Sequence, residues 1–493
     1  MSACGSTNEP PAGSGSTSGA TSQTGDVKYA DEVIIGVSGD TTTFDPHNGS
    51  GAAFIRMMKL EHTTLVEEDE ATGDLIPGIA TSWELLDPLT WKFTIRDDIK
   101  FHNGTTLTFD DIKFSFDRID AGTRKDISYI DSLEKLDDTT FLIHFNTPFI
   151  TFPAELTGTG FCIVSKASTD DNVIGCGAYQ LVDYMSGDHF TYERFDDYFK
   201  GQPKTKKLTF RIIPEDASRV IALETGEVDA IEEVAISDRA RIAENPDLRL
   251  NEAIMNSIIW VALTCREGYP TADVRVRQAL AMATNKDEVV AGAYSGKAVA
   301  AHSFLCSAMD GWIDSDLDYN VEEAKKLLAE AGYPDGLTIS LLCSGNQEQM
   351  VAQIIQSQWK KIGVTVDIQP MDSATRNDRY KKHDFEASLY SSNSSNDEPL
   401  EILEEAATEF GAGNRPEYSN ARYDELYSVI TSTLEEPTRS DAVKEMQQIV
   451  GEEAPFIPLV YPIDAQGLKK NVGGINLNIG RETIWYNIYK TEA

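Results

Sequence analysis

Alternation of apolar and polar positions marks the first clear elements of the chain. Trp91, Phe93 and Ile95 alternate with Lys92, Thr94 and Arg96, the pattern of a strand buried on one face. Phe141 to Phe145 repeats it. Between them Asn103-Gly104 makes a turn. Thr108, with Asp111 three residues on, then caps a helix whose apolar members are Ile112, Phe114, Phe116 and Ile119. Upstream, Val33, Ile34, Ile35 and Val37 form a first strand that runs into a small-residue loop, Ser38 to Pro46. Ala53 to Leu65 reads as a helix through Phe54, Met57, Met58 and Leu65. Further strands are expected at 161–165, within 190–199, at 208–213 and at 258–264.

The period changes between residues 320 and 370. Asn320 caps a helix with Glu323 at its third position and Gly332 closing it. Leu337 to Cys343 is a strand. Met350, Val351, Ile354, Ile355, Trp359 and Ile362 form a helical stripe that Gly363 stops, and Val364, Val366 and Ile368 form the next strand. A strand, a helix and a strand in this order predict a parallel pair with a right-handed crossover. Open α/β sheets of that kind bind ligands beyond the carboxyl ends of their strands. Nearby, Asp273 caps a helix with Val276, Leu280 and Ala283 inside, and Asn285 with Glu288 forms a capping-box pattern for the next.

Length and charge narrow the class. A chain of 493 residues exceeds one compact core, so two or more lobes are expected. With 43 basic and 80 acidic residues the formal net charge is −37. Phosphate backbones and anionic lipid surfaces are repelled, which argues against nucleic-acid or membrane-surface binding. No run of about 18 apolar residues is present to span a membrane. Residues 5–25 are almost all small or polar, a composition suited to a flexible tether. Of the six cysteines, Cys162, Cys176, Cys265, Cys306 and Cys343 show no C-x-x-C spacing, so no structural zinc site is suggested. Disulfides Cys162–Cys176 and Cys265–Cys306 are conceivable in an exported protein, and buried thiols are the equal alternative.

The stretch Pro77 to Ile119 carries a specific likeness. Its order, P-G-I-A-T-S-W-E, then T-W-K-F-T-I-R-D-D-I-K-F-H-N-G, then D-D-I-K-F-S, resembles the signature of extracytoplasmic solute-binding proteins of the peptide/nickel class (family 5), the ligand-capturing subunits of ABC importers. Pro214, Arg219, Ala222, Leu223, Gly226, Glu227 and Asp229 match a second family segment, and Asp273 to Leu280, continuing through Ala283 and Asn285, a third. Gly175-Cys176-Gly177-Ala178-Tyr179 is similar to the family's G-T-G-P-Y turn, and Ser2-Ala3-Cys4-Gly5 to the end of a lipoprotein signal with Cys4 as the lipidated residue.

The resemblance implies an α/β periplasmic-binding-protein-like fold of type II, with two lobes, a hinge and an extra subdomain. Its expected divisions are a disordered tether at 1–26, lobe I at 27–265 with an insertion at about 51–170, lobe II at 266–463, and a return to lobe I at 464–493. It implies a monomer held outside the cytoplasmic membrane by the lipid on Cys4, with ABC permease subunits as partners. Its ligand candidates are Thr41, Thr42, Thr43 and Phe44 after the first strand, Tyr129, and Tyr390, Ser392, Asn393, Ser394, Ser395 and Asn396. Many peptide-binding relatives carry G-W-x-x-D-x-x-D-P before the position of Pro399. Counting back, Ser392 stands where their Trp packs on the ligand, and Ser395 where their Asp pairs with the peptide amino group. Asp397 and Glu398 are candidates to supply that charge, since a carboxylate is the natural partner of an ammonium group.

No catalytic set stands out. The seven histidines form no H-E-x-x-H pattern and no G-x-S-x-G element or phosphate-cradling loop is present. His102 reads as a structural turn residue. The expectation is a binding protein without cofactor, taking a short peptide or similar small polar solute. A nickel or other metal chelate, a sensory receptor and a hydrolase on the same scaffold remain open.

Overall fold

A computed structural model describes residues 28–41, 43–69, 72–121, 127–393, 398–408, 413–433, 435, 437–475 and 485–492. The alternating stretch becomes the strand Thr90–Ile95, in a four-stranded antiparallel sheet ordered Ala80–Asp87, Thr90–Ile95, Thr140–Phe145, Ile130–Lys135. Its Trp91, Phe93 and Ile95 share a core with Phe141 and Ile143 and with Ile112 and Phe116 of the helix Phe109–Asp120. That helix is fixed at its start because the Asp111 carboxylate accepts from the Thr108 N–H at 3.0 Å and from its hydroxyl at 2.7 Å. The hydrophobic cluster of this region runs from Leu65 to Cys176.

A larger sheet of twelve strands organises the described residues. From one edge its order is Val364–Met371, Leu337–Ser344, Ala387–Asn393, Ser257–Leu263, Phe456–Lys469, Ala230–Ile231, Glu32–Val37, Lys207–Ile212, His189–Arg194 and Tyr179–Met185. Leu248–Ile254 and Ala298–Ala300 also pair with Phe456–Lys469. The expected parallel pair is present: Leu337–Ser344 runs beside Val364–Met371 with the helix Gly345–Trp359 between them in sequence.

Phe456–Lys469 is a single strand of 14 residues, about 46 Å at the usual rise. Its first half pairs with Ser257–Leu263 and Ala298–Ala300, its second with Leu248–Ile254 and Ala230–Ile231. Ile457 and Leu459 belong to the core of Val261, Leu280, Ile339 and Trp359. Leu468 belongs to that of Val33, Ile35 and Phe210. The chain crosses the same boundary in the other direction at Met255-Asn256, between Leu248–Ile254 and Ser257–Leu263. Two backbone crossings therefore join two lobes with separate cores.

Several local expectations are corrected. Residues 161–165 form no strand. Phe161 closes a short 3-10 turn, and Ile163 makes one isolated bridge with Thr63. The segment is apolar because it is buried, and its backbone is satisfied irregularly: the Val164 N–H donates to the Ser115 hydroxyl at 2.9 Å, and a His47 ring nitrogen meets the Cys162 carbonyl at 2.9 Å. The first helix ends at Glu61, not Leu65, because His62 is extended. The C-terminal helical region before Ala454, where the sequence reads as one long helix from Asp424 to Val450, is two helices, Ala421–Ser432 and Thr438–Glu453. Thr433 is extended, and Pro437 cannot continue a helix from upstream. Asn285 caps its helix, but its own N–H goes to Gln358 at 3.1 Å instead of to Glu288. The five described cysteines are thiols, so neither Cys162–Cys176 nor Cys265–Cys306 is a disulfide.

The family-like residues are mostly scaffold. Buried Arg219 donates to the carbonyls of Ile213, Pro214 and Glu233 at 2.9–3.1 Å. Asp229 accepts from Lys469, Lys490 and the Ile34 N–H. Arg277 is buried and donates to the carbonyls of Thr271, Ala272 and Glu453, while Arg275 makes a surface ion pair with Asp273 at 2.6 Å.

Candidate functional site

The loop after the first strand is held by its own hydroxyls. The Thr41 side chain donates to the Thr43 carbonyl at 2.8 Å, and the Thr43 hydroxyl accepts from the Asp45 N–H at 3.1 Å. Asp45 in turn takes two hydrogen bonds from Arg118, each 2.7 Å. Burial raises the Asp45 carboxyl, but the Arg118 bonds and the His47 N–H outweigh it and hold it below the usual range. Phe44 is half-buried and meets Tyr184 edge-on at 5.0 Å. Thr42 lies outside the described residues.

On the other lobe, Tyr390 belongs to Ala387–Asn393, which continues through Ser391, Ser392 and Asn393 instead of breaking into a loop. The register pairs Ser392 with Ile258 and Asn393 with Ser257, so these two side chains sit at the end of the strand next to the first crossing. The Tyr390 ring stacks on Tyr380 with centroids 4.2 Å apart, and the Arg376 guanidinium lies 4.8 Å from its centroid. Arg376 is buried, donates to the Leu389 carbonyl at 2.7 Å and pairs with Glu348 at 3.4 Å. Glu348 accepts from the Ser344 N–H at the carboxyl end of Leu337–Ser344. Ser394, Ser395, Asn396 and Asp397 lie outside the described residues, as does Cys4.

Tyr129 lines a cavity of about 700 Å³, within the range of small-molecule sites. One wall comes from the first lobe's smaller sheet region, with Phe149 and Glu155; the other comes from lobe II, with Leu400, Glu404 and Tyr427. Tyr129 and Phe149 sit edge-to-face at 5.0 Å, and Phe149 leans on Phe152 at 5.6 Å, which fixes the aromatic wall. Burial pushes the Glu404 carboxyl up, the charge of Glu155 pushes it further, and Arg415 opposes. Neighbouring Glu405 is pushed up to about 8 by burial. Glu398 also lines the cavity, but it pairs with buried Arg439, so its charge is already matched within lobe II. Phe149, Glu155, Glu404 and Tyr427 were not foreseen from sequence. They come from two segments more than 240 residues apart, and no local pattern announces the meeting.

His102 is structural. Its backbone N–H donates to the Gly175 carbonyl at 2.9 Å and its ring meets the Gly177 carbonyl at 3.0 Å. Among the described residues no group of three or more His, Cys, Asp and Glu is arranged to hold a metal ion.

Comparison with known proteins places this geometry. The profile described as Bacterial extracellular solute-binding proteins, family 5 Middle matches residues 74–414, more than half of the chain. Heme-binding protein A of Haemophilus influenzae is 27% identical over 470 residues, covering 86% of this chain and 86% of that one. The Dipeptide-binding protein of Escherichia coli is 26% identical over 460 residues, covering 84% and 86%. The solved structure of HbpA2 from Haemophilus parasuis matches with a TM-score of 0.84 at 26% identity, over 94% of this chain and 100% of that one. The two-lobed α/β architecture is that of the type II periplasmic binding proteins. The chain belongs to the bacterial extracellular solute-binding proteins, family 5.

Proposed function

We propose that this protein is the solute-binding subunit of an ABC importer, capturing a short peptide or similar small polar solute between two closing lobes and handing it to the membrane permease. The observation that carries the reading is the pair of crossings, at Met255-Asn256 and within Phe456–Lys469, with a cavity of about 700 Å³ walled by both lobes. Two backbone crossings between separate cores suit hinge closure around a ligand. Relatives named for haem and for dipeptides support binding in place of catalysis, and the second name favours peptides.

The finer assignments belong to the same proposal. The division is a tether at 1–26, lobe I at 27–265 with an insertion at about 51–170, lobe II at 266–463 and a return at 464–493. The packing of Val261 and Leu263 with Leu280 favours moving the first boundary back to Met255-Asn256. Thr41 to Phe44 and Tyr390 to Asn396 flank the ligand, and a lipid on Cys4 anchors a monomer at the outer face of the bacterial cytoplasmic membrane. Isothermal titration calorimetry of the whole chain against di- and tripeptides is expected to give saturable one-to-one binding. Absence of heat with every peptide, together with binding of haem or a nickel chelate, would replace the peptide reading.

A further inference from the structure

Phe149 and Leu400 line the interlobe cavity from opposite lobes, and both are half-buried. A half-buried apolar side chain on a cavity wall keeps apolar surface against water, and an apolar occupant of the cavity removes that surface from water. The Phe149 ring is fixed from behind. It meets Tyr129 at 5.0 Å, Phe152 at 5.6 Å and Phe145 at 6.2 Å, each edge-on. Phe145 and Phe152 are themselves buried and meet at 4.8 Å. A ring held by three others already stands in one position, so little side-chain freedom is lost when a ligand arrives. Pro148 extends this wall. Across the cavity, Leu400 belongs to the lobe II core of Ile402, Leu403 and Tyr423. The charged lining residues, among those described, are all glutamates, which disfavours an acidic occupant.

We propose that this recess is an apolar side-chain subsite, taking one large apolar side chain of a bound peptide, such as that of phenylalanine, between Phe149 and Leu400. The subsite rests on the reading of the protein as a peptide-capturing one and adds the class of side chain it prefers. Because its two walls come from different lobes, the same contact that selects the side chain also favours closure of the cleft.

Calorimetry with trialanine and its three single-phenylalanine analogues tests it. One recess accepts a side chain from one position of the peptide, so one analogue is expected to bind about tenfold tighter than trialanine. The other two are expected to gain much less. Phe149→Ala and Leu400→Ala, measured singly and together, are expected to bring that ratio toward one. Thermal unfolding of each variant confirms that it is folded, and Leu400→Ala alone carries the test if Phe149→Ala is not. No gain at any position, an equal gain at all three, or a gain that survives the substitutions overturns the subsite while leaving the peptide reading intact. If no tripeptide binds, the peptide reading falls and the recess is probed by saturation-transfer NMR with N-acetylphenylalanine amide against N-acetylalanine amide. Transfer to the phenyl protons that is lost in the folded variants then supports the subsite, and no transfer, or transfer unchanged in them, overturns it.

Discussion

Two glycines show how a residue can be required without any special backbone angle. The tight turn expected at 175–177 would need glycine for its conformational freedom. Instead a Cβ at Gly175 would lie 2.0 Å from the Glu61 carbonyl oxygen, and one at Gly177 2.3 Å from that of Leu60. The turn lies directly on the end of the helix Ala52–Glu61, and backbone cannot yield as a flexible side chain does. Gly177→Ala is expected to cost about 1–3 kcal/mol, the usual range for overpacking, read as a lower urea midpoint with an unchanged slope. Glu61 itself is a second residue-scale test. Burial pushes its carboxyl up from 4.5 to about 8, against the lowering bonds from the Tyr192 hydroxyl and the Leu181 backbone. The folded state therefore keeps a proton that the unfolded chain loses near 4.5. Stability from this group is fully present below that value and is lost as pH rises through about 8. Glu61→Gln is expected to flatten this part of the decline. Urea midpoints at about pH 5 and about pH 9 should differ less in the variant than in the parent; an equal difference in both would show that Glu61 titrates normally.

At the scale of elements, caps and periodicity were readable because they are local. Asn320 accepts from the Glu323 N–H at 3.1 Å as the sequence predicts, and Asn320→Ala is expected to cost about 1 kcal/mol by urea denaturation. Thr90–Ile95 and Thr140–Phe145 were legible because one face of each is buried and the other is polar. The failures have physical causes as well. Phe161 to Val164 is apolar on both sides because helices and loops surround it, so composition alone resembled a strand. Phe456–Lys469 was not legible as one strand, because Pro458 and Pro462 argue against a central strand. Pro458 sits beside a register shift opposite Ile259 and Trp260, and Pro462 faces the short strand Ala298–Ala300 near the interlobe boundary. The proline-containing stretch is thus the one that passes from lobe to lobe.

For the whole molecule, the family was legible from scaffold residues, while the site was only partly so. Arg219, Asp229 and Arg277 hold backbone carbonyls and strand ends together, and fixed backbone demands leave a recognisable sequence order. Tyr129, a ligand candidate from the family resemblance, lines the interlobe cavity. Phe149 and Leu400 carry no such signal, because they share a cavity only once two distant segments face each other. Closure of the two lobes on a solute is tested most directly by small-angle X-ray scattering of the full chain. With the tightest-binding tripeptide at calorimetric saturation, the radius of gyration is expected to fall as the lobes rotate about Met255-Asn256 and Phe456–Lys469. A radius of gyration unchanged at saturation would contradict it.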